Sequence, residues 1–372
     1  MLAVVAGALA VLGAGCTTSS SSSSSSPATP ALARPGPYPV GATTLDLGSA
    51  GAVLGERMAT VFYPADAAKA ADHRLFSYTQ ATPLPAALRR FVPAKYDTTI
   101  TVDARVDAPA SPQGPFPVVL FSHGFGASRL YYSHVLTGIA SWGFVVVSAD
   151  YLERGLVAQS THQSVASSPA QDVATMFSSL AAAETASASA ASPLAGAVDP
   201  GKVAAVGHSA GGQTAFDALD DPRVAVAVGW APEGPSGPPA AKPVMILGAQ
   251  GDIALTPAAL SAEYQATTGP TKFVEVSGEG HDTYTDICPS IRKGGGLIGF
   301  ALSLHLVSPQ LAKLGANGCT ARDAVPQQFW PIVQYYTVSE LRSVLGTGQG
   351  SPSAAIPTAR FPGFTVTYLQ HP

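Results

Sequence analysis

Short apolar runs recur through the middle of this 372-residue chain, and they restrict its fold more than any other feature. A strand that is buried on both faces, as in a parallel sheet, is apolar throughout its length instead of alternating. Because helix-like stretches separate the runs, the pattern favours an α/β fold: a mostly parallel central sheet with helices on both faces. The runs are 116–124, 143–151, 202–209, 224–230, 243–250 and 272–278, and the helical stretches are 130–141, 169–185, 211–220 and 256–265.

Three earlier segments also have the composition of strands: 43–47, 57–65 and 98–106. We expect them to form an antiparallel edge of the sheet, since 98–106 alternates between apolar and polar residues. No internal repeat interrupts the chain, and its hydrophobic content of 46% is sufficient for one large core. The sequence therefore predicts a single domain over residues 36–372.

The first 33 residues carry no charged side chain. Residues 1–16 contain an apolar run that is too short to span a bilayer and ends in "GAGC", which resembles a bacterial lipobox. We interpret this segment as an export signal that leaves Cys16 as a lipidated N-terminus. A plain cleaved signal or an uncleaved anchor is the alternative. Residues 17–35 are rich in Ser and Pro and are predicted to be a flexible tether.

The chain has three cysteines, and lipidation of Cys16 would leave Cys288 and Cys319. Two cysteines in an exported protein favour a disulfide, and a loop of this length would contribute roughly 3–4 kcal/mol. The alternative is a pair of free buried thiols. A bridge would tie the segment that follows His281 to the C-terminal part of the chain.

Composition and motifs exclude several other function classes. Charged residues make up 12% of the chain, the formal net charge is -4, and no basic run is present, so a nucleic-acid partner is not expected. No His, Cys and Asp cluster has the spacing of a metal site. The segment "GGGLIG" at 294–299 does not follow a strand, so it is interpreted as a helix start or a loop and not as a phosphate-binding loop.

The pattern G-x-S-x-G occurs once, as Gly207-His208-Ser209-Ala210-Gly211. It follows the apolar run "KVAAV" and precedes a helix-like stretch. In that setting a serine lies on a sharp strand-to-helix turn with its oxygen exposed. Ser209 is therefore the candidate nucleophile.

A serine hydroxyl needs a base to take its proton, and the base needs an acid to orient it. Asp252 lies 43 residues after Ser209 and His281 a further 29 residues on, each just after a predicted strand. Loops at the carboxyl ends of parallel strands gather at one edge of the sheet. The order Ser, Asp, His therefore predicts a catalytic triad of Ser209, Asp252 and His281.

The segment "LFSHGFGASR" supplies the remaining part of such a site. Two backbone N–H groups must face the developing oxyanion, and we expect them to be those of Phe125 and Ala210. His123 is expected to support this loop through hydrogen bonds. Phe125 and Trp230 are candidates for lining a substrate pocket. The segment 151–168 is a lid, a pocket wall or only a surface loop.

Several of these segments together resemble the α/β-hydrolases, and within them the platelet-activating-factor acetylhydrolase family and its dienelactone-hydrolase-like bacterial relatives. The segments are "GPYPVGATTLDL", "ATVFYPA", "FPVVLFSHGFGASRLYYSHVLTGIASWGFVVVSADY" and "VGHSAGG". The layout is also similar to cutinase-like polyester hydrolases, and the similarity covers roughly residues 36–306. It implies a serine ester hydrolase that needs no metal or organic cofactor.

The chain departs from these families at two positions. True dienelactone hydrolases use a cysteine nucleophile, whereas this chain has Ser209. The acetylhydrolase branch has its acid near "VGWAPEG", where this chain offers only Glu233, while the cutinase-like branch has it at the position of Asp252. We therefore expect Asp252 to be the acid, with Glu233 as the alternative.

The resulting hypothesis is an exported, membrane-tethered carboxylic ester hydrolase. Its substrate is a small-molecule, lipid or polyester ester, which the sequence does not distinguish further. An acyltransferase with the same triad and a catalytically silent binding lipoprotein are the alternatives.

Overall fold

The structure is a computed structural model, and it describes residues 29–51, 54–161, 166–238, 241–346 and 359–372. Residues 1–16, with the predicted lipidation site Cys16, lie outside the described residues, and so does most of the predicted tether. Within the described part of the chain, no helix combines the length and the apolar character that crossing a bilayer requires.

One mixed sheet organises the described residues, and its spatial order is β11-β10-β9-β8-β7-β5-β6-β2-β1-β4-β3. The strands are β1 Val40–Ser49, β2 Glu56–Pro64, β3 Leu75–Thr79, β4 Thr99–Val106, β5 Phe116–Ser122, β6 Val145–Ala149, β7 Val198–His208, β8 Val224–Trp230, β9 Val244–Ala249, β10 Thr271–Val276 and β11 Val366–His371.

The six strands at the centre, from β6 through β5, β7, β8 and β9 to β10, are parallel to one another. These are the six apolar runs of the sequence, and β5 and β6 are buried along their whole length. The α/β-hydrolase prediction is thereby confirmed at the level of fold class. The expected antiparallel edge is present in β1 and β2, although β1 also pairs in parallel with β4.

Helices cover both faces of the sheet. They are α1 Ala86–Arg89, α2 Ser133–Ala140, α3 Leu156–Thr161, α4 Pro169–Ala188, α5 Ala210–Asp217, α6 Pro257–Ala266, α7 Cys288–Gly294, α8 Gly296–Ser303, α9 Pro309–Leu314 and α10 Pro326–Leu345. Alternate residues of β5 point to opposite faces, so Val119 and Phe121 pack with α2 and α10, while Val118 and Leu120 pack with α4 and α5.

Several elements were not predicted from sequence, among them β3, β11, the short helices α1, α3, α7, α8 and α9, and the long helix α10. The segment 326–345 contains an interior proline, Pro331, and many β-branched and aromatic residues, which disfavour a helix on local propensity. Nearly every residue between Phe329 and Arg342 is nevertheless buried. Tertiary packing therefore stabilises this helix, although its local sequence preference is weak.

The packed domain begins earlier than residue 36. A short 3-10 helix, Ala31–Ala33, packs on α10, and the side chains of Leu32 and Ala33 are buried. The amide of Gln334 donates from Nε2 to the carbonyl oxygens of Leu32 at 2.8 Å and Arg34 at 2.6 Å. The end of the predicted tether 17–35 is thus part of the folded domain, because Leu32 contributes to the core.

The Cys288–Cys319 disulfide is present, with an S–S distance of 2.07 Å and a sequence separation of 31 residues. It joins the start of α7 to the turn that follows α9. The bridge closes a covalent loop that contains α7, α8 and α9.

We predict that Leu32→Ala lowers the free energy of unfolding by about 2 kcal/mol, since it removes a buried aliphatic side chain from the contact with α10. Urea unfolding followed by circular dichroism measures the change. Leu304→Ala is the matched control, because Leu304 is exposed and its truncation should cost less than about 0.5 kcal/mol. Equal effects of the two substitutions would show that residues 31–34 are not part of the cooperative core.

Candidate active site

Ser209 lies at the turn between β7 and α5, with φ 56° and ψ -124°. A positive φ is unusual for a serine and is typical of strained, functional turns. The backbones cross closely there, because a Cβ on Gly207 would lie 1.9 Å from the carbonyl oxygen of Gly211. The strand–turn–helix setting expected for the motif is therefore present.

Asp252 and His281 form a direct hydrogen bond, with 2.8 Å between Asp252 Oδ2 and His281 Nδ1. The other carboxylate oxygen of Asp252 accepts from the backbone N–H groups of Ala254 and Leu255, each at 2.8 Å. A carboxylate only accepts at neutral pH, so Nδ1 of His281 carries a proton. In the neutral imidazole, Nε2 is then left free to accept a proton.

The alternative acid, Glu233, occupies a different position. Its backbone N–H donates to the carbonyl oxygen of Ser209 at 3.0 Å. The hydrogen bond to His281 Nδ1 comes from Asp252.

Opposing effects act on the pKa of His281. Burial lowers it, while the hydrogen bond to Asp252 and the charges of Asp282, Asp252 and Glu233 raise it, and the net shift is upward from 6.5. Asp282 is itself buried next to these groups, which raises its pKa to about 6 against the opposing effect of His281. A base with a raised pKa holds an accepted proton more firmly.

His208 connects the serine turn with the histidine loop. It immediately precedes Ser209, its ring centroid lies 4.7 Å from that of His281, and its Nε2 donates to the carbonyl oxygen of His281 at 2.9 Å. Burial and the neighbouring His281 hold the pKa of His208 well below its usual value, so its ring is neutral. The strands that end at these two loops, β7 and β10, lie in the same parallel part of the sheet.

The same histidine extends the network to the loop after β5. Nδ1 of neutral His208 accepts from the hydroxyl of Tyr132 at 2.8 Å, and that oxygen accepts from the N–H of Gly124 at 3.3 Å. The loop lies against the serine, since the ideal Cβ position of Gly124 is 3.2 Å from Ser209 Cβ. A single set of buried hydrogen bonds thus fixes three parts of the site relative to one another.

The two expected oxyanion donors are placed as follows. Ala210 opens α5, and N–H groups in the first turn of a helix have no intrahelical acceptor. The N–H of Phe125 has no acceptor among the residues that the structure describes. The Phe125 side chain is 58% exposed, at the rim of the site. Both N–H groups are therefore available to an anionic oxygen, which such preorganised donors stabilise.

His123 supports the loop as expected. Its Nδ1 donates to the carbonyl oxygen of Gly124 at 2.9 Å, and its Nε2 accepts from the N–H of Tyr151 at 3.0 Å. Burial and the nearby Arg154 hold the pKa of His123 well below its usual value, so the ring stays neutral. A neutral ring can donate and accept at the same time, which this position requires.

Arg154 was not predicted from sequence, although its side chain holds the loop that follows β5. Its guanidinium pairs with Asp172 at 2.7 Å and donates to the Ser122 hydroxyl at 2.7 Å and to the carbonyl oxygen of His123. The described part of the segment 151–168 is therefore tied to β5 and α4, and its residues Leu152 and Val157 are buried. Residues 151–161 are therefore packed against the rest of the domain, and this part of the segment is not a mobile lid.

The expected role of Trp230 in a pocket does not agree with its position. Trp230 is the last residue of β8, its side chain is 0% exposed, and its Nε1 donates to Thr337 Oγ1 of α10 at 3.0 Å. It also stacks with Tyr284. Trp230 is a core residue, because its indole is turned toward α10, a helix that was not predicted from sequence.

Asn317 is a second residue that sequence reasoning missed. Its Oδ1 accepts from the N–H groups of His281 at 2.8 Å and Ile253 at 3.1 Å, and its Nδ2 donates to the carbonyl oxygen of Gly251 at 3.0 Å. One amide side chain thus joins the loop of Asp252 to the loop of His281. The Asn-Gly pair at 317–318 signals a turn, but no local pattern reveals contacts so distant in sequence.

Among the residues that the structure describes, no group of three or more His, Cys, Asp or Glu side chains is arranged to hold a metal ion. The groups assembled at the serine are a nucleophile candidate, a base with a free Nε2 and two N–H donors. This arrangement is suited to acyl transfer through a serine ester.

Comparisons with known proteins bear on the family and the fold. The sequence model described as "Alpha/beta hydrolase family" matches residues 119–333, and the model "Platelet-activating factor acetylhydrolase, isoform II" matches residues 22–190. A solved structure titled ferulic acid esterase from Streptomyces cinnamoneus is similar, with a TM-score of 0.60 and 23% sequence identity. The alignment covers 90% of this chain and 98% of that one, and at this identity it speaks for the fold.

We predict that Asn317→Ala lowers the pKa of His281, because loosening the loops weakens the hydrogen bond to Asp252 that raises it. The pKa is measured by NMR titration of ¹³C-labelled histidine rings, with the His281 signal assigned by its absence in His281→Gln. Asp323→Ala is the control, since Asp323 ties down Thr320 in the same loop without contacting the pair. An unchanged pKa in folded Asn317→Ala would contradict the positioning role.

Proposed function

The chain belongs to the alpha/beta hydrolase family, and we propose that it is a carboxylic ester hydrolase in which Ser209 forms an acyl-enzyme. One observation carries this proposal: Asp252 binds Nδ1 of His281 and leaves Nε2 free, on the loop that His208 joins to the strained turn of Ser209. A nucleophile, a base and an acid that orients the base are the three groups that serine acyl transfer requires.

The first half of the reaction forms the acyl-enzyme. Ser209 Oγ attacks the ester carbonyl carbon while its proton passes to His281 Nε2. The resulting imidazolium is stabilised by the carboxylate of Asp252, whose other oxygen is held in place by two backbone N–H groups. The tetrahedral intermediate then loses its alkoxide, and His281 returns the proton to the departing oxygen.

The second half releases the acid. A water molecule gives its proton to His281 Nε2 and attacks the acyl carbon, and the ester bond to Ser209 Oγ breaks as the proton returns to that oxygen. The N–H groups of Phe125 and Ala210 hold the oxyanion in both halves. The network from Gly124 through Tyr132 to His208 keeps the Phe125 loop in place during both steps.

The same site and the comparisons support a substrate class. Two of the matches carry the words acetylhydrolase and esterase in their descriptions, which supports a carboxylic ester with a small acyl or aryl-acyl part. Phe125, exposed beside its own N–H donor, offers an apolar surface for the acyl or aryl group. Carboxylesterase, lipase-like and polyesterase activities use the same chemistry and differ in what this surface accepts.

Export is part of the proposal. A disulfide persists in oxidising compartments, so the Cys288–Cys319 bridge supports a location outside the cytoplasm. The "GAGC" segment that ends at Cys16 supports lipidation and a membrane tether. Globomycin treatment of expressing cells, followed by mass analysis of the N-terminus, tests this part separately.

We predict that the full chain hydrolyses p-nitrophenyl esters and that Ser209→Ala lowers kcat at least about 10³-fold, because the nucleophile is removed. A series from acetate to palmitate measures the preferred acyl length. Ser189→Ala is the control, since this exposed serine lies in the turn after α4. Residual activity of Ser209→Ala within tenfold of wild type would refute the assignment, and acyl transfer to an added alcohol in preference to water would indicate an acyltransferase.

We also predict the pH dependence of kcat/KM. Because the pKa of His281 is raised above 6.5, the base is protonated and inactive below that raised value, so activity falls on the acidic side at a pH above 6.5. Asp252→Asn removes the hydrogen-bonded charge that raises this pKa. It should move the acidic limb to lower pH and reduce kcat by about 10³- to 10⁴-fold. If the acidic limb of the pH profile does not move in Asp252→Asn, Asp252 is not the acid of the triad.

A further inference from the structure

Two segments outside the active site combine positive charge with exposed apolar side chains. Residues 86–96 contain three Lys or Arg residues and residues 288–322 contain four, and neither segment contains an Asp or Glu. The chain as a whole has 20 basic and 24 acidic residues, so its remaining part carries all of the acidic ones. This local excess of positive charge contrasts with a formal net charge of -4.

The charged positions are mostly free to face solvent. Arg90, Lys95, Lys293, Lys313 and Arg322 are exposed. Arg292 instead turns inward and donates to the carbonyl oxygens of Asp323 and Ala324. The two acids next to these segments are hydrogen-bonded to nearby groups: Asp97 accepts from the N–H of Ala81, and Asp323 accepts from the N–H and the hydroxyl of Thr320.

The same two segments hold a concentration of exposed large apolar side chains. Leucines that are between 37% and 51% exposed lie on and around α8 and α9, and Phe91, just after α1, is 64% exposed. The leucines are Leu302, Leu304, Leu306, Leu311 and Leu314. Single exposed leucines need no explanation, but five within 13 residues form a patch that marks an interaction site.

The two segments form one surface. The rings of Tyr96 and Phe300 stack with centroids 5.2 Å apart. Gln80, which precedes α1, accepts from the N–H of Leu297 in α8 at 3.1 Å and donates to the carbonyl oxygen of Ile287 at 3.3 Å. We call residues 86–96 and 288–322 together the basic apolar surface.

This surface adjoins the candidate active site. Cys288 and Cys319 close the loop that carries α8 and α9, and Asn317 of that loop contacts the backbone of His281 and Ile253. Ile253 is itself 44% exposed. Exposed apolar side chains therefore occur both in the loop of Asp252 and on α8 and α9, and Asn317 joins the two regions through hydrogen bonds.

We propose that the basic apolar surface docks the folded domain onto an anionic lipid bilayer. Leucine and phenylalanine side chains enter the boundary between headgroups and acyl chains, while the surrounding Lys and Arg side chains contact acidic headgroups, as in interfacial amphipathic helices. A second copy of the chain is a poorer occupant, because two surfaces with the same excess positive charge repel each other. The contact is made by the folded domain and is separate from any lipid on Cys16.

The test places an environment-sensitive label on the surface, so that insertion of the N-terminal segment does not contribute to the signal. A nitrobenzoxadiazole group is attached through Leu304→Cys in a Cys16→Ser background of the full chain, and through Ala191→Cys as the control in the exposed turn after α4. Vesicles contain phosphatidylcholine alone or with about 30% phosphatidylglycerol. We expect a blue shift for the Leu304 label with anionic vesicles only, and no shift for the control label.

Two double substitutions test the contribution of charge and the contribution of apolar side chains separately. Lys293→Glu with Lys313→Glu should weaken binding at least tenfold, given about fivefold for each basic side chain near an anionic surface. Leu306→Ser with Leu311→Ser should reduce the blue shift without altering the far-ultraviolet spectrum. Ser209→Ala should bind like wild type, because docking requires no hydrolysis, and failure of the proposed function would therefore leave this result intact.

Three outcomes would overturn the proposal: no shift of the Leu304 label, an equal shift with neutral vesicles, or an unchanged affinity for anionic vesicles in the variant with both lysines replaced by glutamate. A concentration-dependent dimer in analytical ultracentrifugation that the leucine substitutions abolish would show that a second copy covers the surface instead.

Discussion

The hydrogen bond between Asp252 Oδ2 and His281 Nδ1 is the interaction on which the chemistry of this site depends. It fixes the tautomer of the imidazole and therefore leaves Nε2 free for proton transfer. The parallel strands provide the geometry, since β7, β9 and β10 all end at the same edge of the sheet. The rest of the site can be understood as the means by which this pair is held against the turn of Ser209.

Two other histidines contribute by staying neutral. His208 and His123 are both buried, and burial lowers the pKa of each far enough to keep its ring uncharged. Each ring then donates from one nitrogen and accepts on the other, which links the oxyanion loop to neighbouring backbone. A protonated ring would have two donors and no acceptor, so His123 would lose the hydrogen bond from the Tyr151 N–H and His208 could no longer accept from the Tyr132 hydroxyl. Three histidines of the same site thus have different functions because their surroundings differ.

The parts that sequence reasoning predicted are those governed by local pattern. The central strands are apolar throughout because both of their faces are buried, and Ser209 lies in a motif whose glycine permits close backbone crossing. Helix α10 was missed because Pro331 and the aromatic residues around it oppose a helix locally, and packing against the sheet outweighs that preference. Asn317 was missed because its partners Ile253 and His281 are 64 and 36 residues away. Trp230 was misjudged for a related reason, since its contact with Thr337 exists only once α10 is in place.

The disulfide has a consequence that reaches beyond stability. It encloses both Asn317, whose side chain joins the loops of Asp252 and His281, and the leucines of α8 and α9 within one covalent ring. Two ligands that contact the same closed unit are thermodynamically linked when both favour the same arrangement of that unit, and such linkage is reciprocal. If contact between the leucines and a bilayer changes the affinity of the site for an ester by some factor, a bound ester changes the affinity of the protein for that bilayer by the same factor. In that case the covalent ring, whose two cysteines are separated by 31 positions, couples the bilayer-facing leucines to the ester site through the single amide side chain of Asn317.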